Sequence, residues 1–273
     1  MKYGIAVRNM GPQSTRATIR ACAAAAESLG YDAVFVSDHL CIPPDQTEGS
    51  GGRYLDVLTT LAYLAGITDR IRLGISVLVI PYRPAVLTAK QVATIQELSG
   101  GRMILGAGVG WMKPEFDALG VDKSRRGRIT DETLRILRHL FTHEASAYNG
   151  ETVRFPAFVF APRPVAPEIW IGGNSEKAIA RVIEFGNGWH PMMPADQLKP
   201  AVATLKQKLG EQKSGVEIVV RRGMRFDDLG RARGKLDIER EAGATYFILD
   251  LGRYPSEKEF ISQAETFMQK VAS

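Results

Sequence analysis

Cysteine is nearly absent from this chain. Only Cys22 and Cys41 occur among 273 residues, and no CxxC is present, so a disulfide framework is excluded and a reduced, cytoplasmic setting is expected. Four histidines are too few for a metal-dependent barrel hydrolase, which needs several His and carboxylates at strand ends. His139 and His143 stand four apart, but the HExxH form is missing, and no metal site is expected. No apolar run approaches the ~20 residues that span a bilayer, and the first seven residues, MKYGIAV, turn polar too soon for a secretory leader. Walker loops, a GxSxG elbow and basic motifs interleaved with aromatics are also lacking. Neither a membrane nor a nucleic acid is therefore expected as a partner. The formal charge is +5 and the pI about 9.2, yet 30 acidic residues are interspersed among 35 basic ones. Such a balance suits an anionic small ligand as well as nucleic acid and decides neither.

What is present is a regular alternation. The apolar fraction is 45%, ordinary for a folded core, and the length is near the ~250 residues of one (β/α)8 barrel. Short apolar strands are expected at 2–7, 33–36, 71–77, 102–107, 168–171, 188–191, 216–221 and 245–251. Helices are expected at 15–29, 54–65, 84–98, 124–141, 175–185, 196–209, 231–242 and 257–271. Gly30 and Gly66 end the first two helices, and Pro84 opens the third at a first-turn position. Residues 143–167 break the rhythm and read as an irregular excursion before the fifth strand. Eight βα units in succession favour a closed (β/α)8 TIM barrel over an open, doubly wound sheet. No Pro/Gly/Ser linker divides the chain, so residues 1–273 read as one domain.

In such a barrel, chemistry belongs to the loops after the strands. After the second strand comes Ser37-Asp38-His39, where His39 can relay a proton or bond a cofactor and Asp38 can fix its tautomer. Equally, Asp38 caps the loop and His39 only packs. Cys41 reads as a small hydrophobe. The run from Gly74 to Pro84, through Ser76 and Val77, exceeds a barrel strand, so a bulge or kink is expected. After the fourth strand, Leu105-Gly106-Ala107-Gly108-Val109-Gly110-Trp111 resembles a dinucleotide fingerprint only superficially, since the third glycine comes one residue early and Pro114 and the nearby acidic residues spoil the expected helix entry. The glycines there suit close approach of backbone to a flat ligand. Trp111 either stacks on that ligand or covers the mouth. Gly172-Gly173-Asn174-Ser175 opens straight into a helix, a good phosphate site or an ordinary capped turn. Lys177 and Arg181 follow at helical spacing, and Arg125, Arg126 and Arg128 form a basic cluster that meets an acidic cofactor tail or solvent.

Four segments together resemble the luciferase-like monooxygenase superfamily, and most closely its coenzyme F420-dependent branch: SDHL at 37–40, LGISVLVIPYRPAVLTAKQVATIQELSGGR at 73–102, LGAGVGWMKPEF at 105–116 and IGGNS at 171–175. The resemblance spans nearly the whole chain and thins after the sixth strand. It implies a tricyclic deazaflavin, or FMN, at the barrel mouth, with its phosphate at Gly172, Gly173, Asn174 and Ser175. Gly108, Val109 and Gly110 would lie along the cofactor, Asp38, Ser76 and Val77 would belong to its cradle, and a non-proline cis bond at Ser76–Val77 would press the middle of the ring. His39 matches a proton-transferring histidine of sugar-phosphate-oxidising relatives. Those relatives carry a Glu where this chain has Trp111, which argues against their substrate and leaves room for a flatter or more apolar one. The implied activity is hydride transfer between F420 and a small organic molecule, in a homodimer. An FMN-dependent monooxygenase is the alternative on the same fold, and a non-catalytic deazaflavin carrier is the alternative outside catalysis.

Overall fold

The computed structural model describes residues 1–47, 49–210 and 215–273. Its central sheet runs through β1 (Lys2–Ala6), β2 (Ala33–Val36), β3 (Arg72–Ile75) with its continuation β4 (Leu78–Val79), β5 (Met103–Gly108), β8 (Glu168–Gly172), β9 (Gly188–His190), β10 (Glu217–Gly223) and β11 (Tyr246–Asp250). Every neighbouring pair is parallel. β1 pairs with both β2 and β11, and β3 with β5, so the sheet closes on itself as an eight-staved (β/α)8 barrel. Closure excludes the open sheet.

Helices lie between the strands as the periodicity predicts: α1 (Arg16–Ser28), α2 (Val57–Ala65), α3 (Ala85–Leu98), α5 (Arg126–Thr142), α6 (Glu176–Phe185), α7 (Ala195–Leu209), α8 (Leu229–Glu241) and α9 (Glu257–Lys270). Side-chain caps fix several starts. Thr15, Asp56, Ser175, Asp228 and Ser256 each accept a backbone N–H from the first turn of the following helix, which satisfies a donor the helix cannot.

The third stave breaks at Ser76–Val77 and resumes as β4, the kink its length implied. Two features differ from the expectation. A further helix, α4 (Lys113–Ala118), follows β5; Pro114 stands in its first turn, where a proline starts a helix rather than spoiling it. The excursion at 143–167 is not irregular. It carries an antiparallel hairpin, β6 (Ala145–Asn149) and β7 (Arg154–Val159). Glu132 of α5 is buried beneath its turn and accepts the Thr152 and Val153 amides at 2.9 and 3.3 Å, together with the Thr152 hydroxyl.

The barrel interior is filled by large rings. Phe35, Trp170 and Tyr246 are fully buried, with centroids 4.8–6.0 Å apart. Room for them comes from glycines on the adjacent strands. A Cβ on Gly74 would lie 2.1 Å from Phe35, one on Gly4 2.5 Å from Phe35, and one on Gly188 2.6 Å from Trp170. The core is thus a large-to-small jigsaw at close-packed density. Gly74→Ala is expected to overpack it and cost about 1–3 kcal/mol, read as a lower urea midpoint with an unchanged slope.

Candidate active site

The carboxyl ends of the strands are tied together by Arg221 on β10. Its Nε and Nη2 donate to Asp250 of β11 at 2.9 Å. Nη1 donates to the Ser37 hydroxyl at 2.9 Å and to the Ser76 carbonyl at 3.2 Å. One planar fork therefore joins the ends of four staves. Ser76 is held from a second side by His190, whose Nε2 lies 2.8 Å from Ser76 Oγ and whose Nδ1 lies 3.2 Å from the Val219 carbonyl. A carbonyl only accepts, so Nδ1 carries the proton and Nε2 accepts from the Ser76 hydroxyl.

The Ser76–Val77 bond is cis. Beyond it, the Val77 side chain sits over three glycines. A Cβ would come within 2.5 Å of it at Gly108, 3.1 Å at Gly106 and 3.2 Å at Gly172. At Gly110 the φ is +76°, and a Cβ would lie 2.5 Å from Val79 and 3.0 Å from Phe116. The space beside Gly108 and Gly110 is thus filled by the protein's own side chains. Their lack of a Cβ is accounted for by packing as well as by any approach of a ring. Val109, between them, is half-buried.

His39 is fixed by a residue 76 positions away. Its Nδ1 lies 2.9 Å from Glu115 Oε2, so Nδ1–H donates to the carboxylate. Nε2, with no partner among the described residues, is the free position of the ring. Glu115 is fully buried and also accepts the Tyr82 hydroxyl at 2.8 Å and the Leu40 and Cys41 amides at 2.5 and 3.1 Å. Burial pushes its pKa up, but the bonds from His39, the Leu40 amide and Tyr82 outweigh this and hold the carboxyl below its ordinary range. Tyr54 and Trp111 meet the imidazole edge-on, at centroid distances of 5.1 and 6.1 Å. Trp111 is 61% exposed, so it forms part of the rim.

Asp38 does not fix the His39 tautomer. Its buried carboxylate takes a two-pronged bond from Arg83, at 2.7 and 2.9 Å, and the Val79 amide at 2.9 Å. That anchors β4 to the end of β2 and leaves the carboxylate fully engaged. Arg83 reaches Asp56 as well, at 3.0 Å.

Gly172 and Gly173 are half-buried, and Asn174 and Ser175 are exposed at the start of α6. Asn174 is pinned by paired bonds with the Met192 backbone, both 2.7 Å. Trp189 donates to the Gly173 carbonyl at 2.8 Å. Arg181 is not available to an anion, since it is buried against Asp131 and the Gly127 carbonyl. The same bonds bring the start of α5 beside α6. There Arg126 keeps a buried Nε with no hydrogen-bond partner among the described residues. An unsatisfied buried donor at the start of α5 suits an anionic group, and the Gly172–Ser175 turn that opens α6 offers a helix start for one. By this observation the residues present suit a phosphate-bearing flavin or deazaflavin.

Sequence reasoning missed Glu115, Tyr82, Arg83 and Arg221. None stands in a recognisable motif with its partner. Pro114-Glu115, a proline and an acid in a first turn, was the one local sign that α4 exists. Among the described residues no helix is long and apolar enough to cross a membrane, and no group of three His, Cys, Asp or Glu is placed to hold a metal.

The sequence places this barrel in the luciferase-like class, whose members are oxidoreductases. The chain belongs to the luciferase-like monooxygenase family, whose pattern it matches over residues 1–228. It is similar to an uncharacterized protein of Mycobacterium tuberculosis, 30% identical over 198 residues that span 68% of this chain and 69% of that one. Similarity to the FMNH(2)-dependent dimethylsulfone monooxygenase of Pseudomonas putida is 33% over 136 residues, 48% of this chain and 37% of that enzyme. The fold matches an F420-dependent secondary alcohol dehydrogenase, solved in complex with an F420-acetone adduct, with a TM-score of 0.82 at 15% identity over 99% of this chain and 98% of that one.

His190 gives the site a pH dependence. It is fully buried, and desolvation, then the charge of Arg221, lowers its pKa from 6.5 to about 4. Between those values the unfolded chain takes up a proton that the folded one refuses. Stability is therefore lost as pH falls from 6.5 toward 4, by on the order of 3 kcal/mol. Chemical denaturation at pH 7 and pH 4.5 should show this loss, and His190→Gln should flatten that part of the slope.

Proposed function

We propose that the protein transfers a hydride between coenzyme F420 and a small organic substrate at the barrel mouth, acting as a cytoplasmic homodimer. The observation that carries the proposal is the buried Glu115 holding His39 with Nε2 free. A structural histidine needs no such buried anion, whereas a proton-handling one needs a fixed tautomer and a defined direction. Gly172, Gly173, Asn174, Ser175 and Arg126 would hold the phosphate, while Ser76, Val77, Gly108, Val109 and Gly110 would face the ring.

When bound, the deazaflavin supplies the site that accepts or gives the hydride. The chain's own residues do the rest. His39 Nε2 takes or returns the proton of the substrate oxygen as a carbonyl forms or is reduced. Glu115 stabilises the imidazolium so produced, and Tyr82 and the Leu40 and Cys41 amides keep that carboxylate in place. Trp111 and Tyr54 flank the imidazole and limit the water that reaches it.

A second reading keeps the site and replaces F420 with FMN, as a monooxygenase. The similarity to the FMNH(2)-dependent enzyme of Pseudomonas putida favours it. Titration with each cofactor separates the two. Tight F420 binding is expected, and tight FMN binding without F420 binding would overturn the choice. His39→Ala is expected to leave cofactor affinity unchanged and to lower turnover by roughly 10²–10⁴-fold. A carrier without catalysis would bind the cofactor, turn over nothing and be indifferent to that substitution.

A further inference from the structure

Among the described residues, Arg8 at the mouth enters no ion pair. Arg8 follows β1 by two residues, at the carboxyl end of that stave. Its backbone is firmly seated. The Arg8 amide donates to the hydroxyl of the buried Tyr254 at 3.2 Å. Next to it, Asn9 is fully buried, donates to the Ser37 and Leu55 carbonyls at 2.8 and 2.9 Å, and accepts the Ser37 amide at 3.0 Å. Arg8 therefore stands beside the segment that leads into His39.

The guanidinium has no such partners. Among the described residues it makes no ion pair and no side-chain hydrogen bond, and its Nε is buried without an acceptor. Asp250 is the nearby carboxylate, and Arg8 is among the charges that hold its pKa down, after burial, which raises it, and Arg221, the leading charge that lowers it. That carboxylate is already taken by Arg221 on Oδ2 and by the Gly252 amide, at 2.8 Å, on Oδ1. Among the described residues, the hydrogen bonds of that carboxylate thus go to Arg221 and the Gly252 amide and none goes to Arg8. A buried donor without an acceptor is costly in a folded protein. A planar fork is the side chain best matched to an oxyanion.

We infer that Arg8 is a specificity determinant that receives a carboxylate or phosphate group carried by the substrate. The substrate is then an organic anion, held at one end by Arg8, with its apolar body toward the Trp111 rim. This rests on the proposed function for the identity of the mouth as the substrate site. Arg8 and the cofactor's anionic tail are assigned to different places, since Arg126 and the start of α6 lie beyond β5 and β8, whereas Arg8 lies at β1 beside β11.

The test reads binding rather than turnover, so that it stands apart from any failure of the cofactor assignment. Calorimetric titration of the full chain with hexanoate and with hexyl phosphate, each against hexanamide, is expected to show at least tenfold tighter binding of one anion. The preferred anion says whether carboxylate or phosphate is the natural group. Arg8→Gln is expected to abolish that preference, Arg8→Lys to keep part of it, and both to leave thermal stability and cofactor affinity as they are. Equal affinity for anions and amide, or a preference that survives Arg8→Gln, would overturn the inference. So would a loss of cofactor affinity in Arg8→Gln, which would assign the guanidinium to the cofactor instead.

Discussion

The mouth of this barrel depends on one guanidinium. Arg221 joins Asp250, Ser37 and the Ser76 carbonyl, so the ends of β10, β11, β2 and β3 are held in a single plane of hydrogen bonds. Strand ends are where a barrel's ladder gives out and where carbonyls and amides lose their partners. A side chain with five donors in a rigid fork can satisfy several at once. Around that point everything else is arranged. His190 steadies Ser76 from the other side, Asp38 and Arg83 hold the resumed strand β4, and Val77 drops onto the three glycines. The floor of the site is thus rigid before any ligand enters, which is what orientation of a reacting ring requires.

On that floor two carboxylates divide the work that one was expected to do. Asp38, adjacent to His39 in sequence, faces the scaffold; Glu115, far from it, faces the imidazole. Both residues lie in the loop just past the end of β2, and the Asp38 carboxylate is already taken by Arg83 and the Val79 amide. The carboxylate that reaches His39 must come from another stave, and α4 after β5 delivers it. A buried carboxylate with four hydrogen bonds is stable only as a complete set, which couples Tyr82, the loop amides and His39 into one unit.

Much of the fold was legible because it is periodic. Alternating strands and helices announce themselves over many residues, and all eight staves stand where the apolar runs put them. Short elements did not announce themselves. α4 has six residues, too few for any period, and its proline was read as a breaker rather than as a first-turn residue. The hairpin at 145–159 alternates half-buried with exposed positions, so it lacks the apolar run that marks a strand. At the mouth, the stretches that hold His39, Ser76, Val77 and the IGGNS turn stood out in the sequence because resemblance singled them out. Arg221 and Glu115 were not, since their partners lie 184, 145 and 76 residues away and spacing at that range carries no signal.

The chain's three tryptophans are distributed unevenly. Trp170, inside the barrel, and Trp189, in the layer between sheet and helices, are 0% and 1% exposed, while Trp111 is 61% exposed at the rim. The protein therefore carries a built-in optical probe at its entrance. A water-soluble quencher such as iodide reaches that indole and neither of the others. The emission it removes comes from the mouth alone, so whatever occupies the mouth can be followed by light without a label.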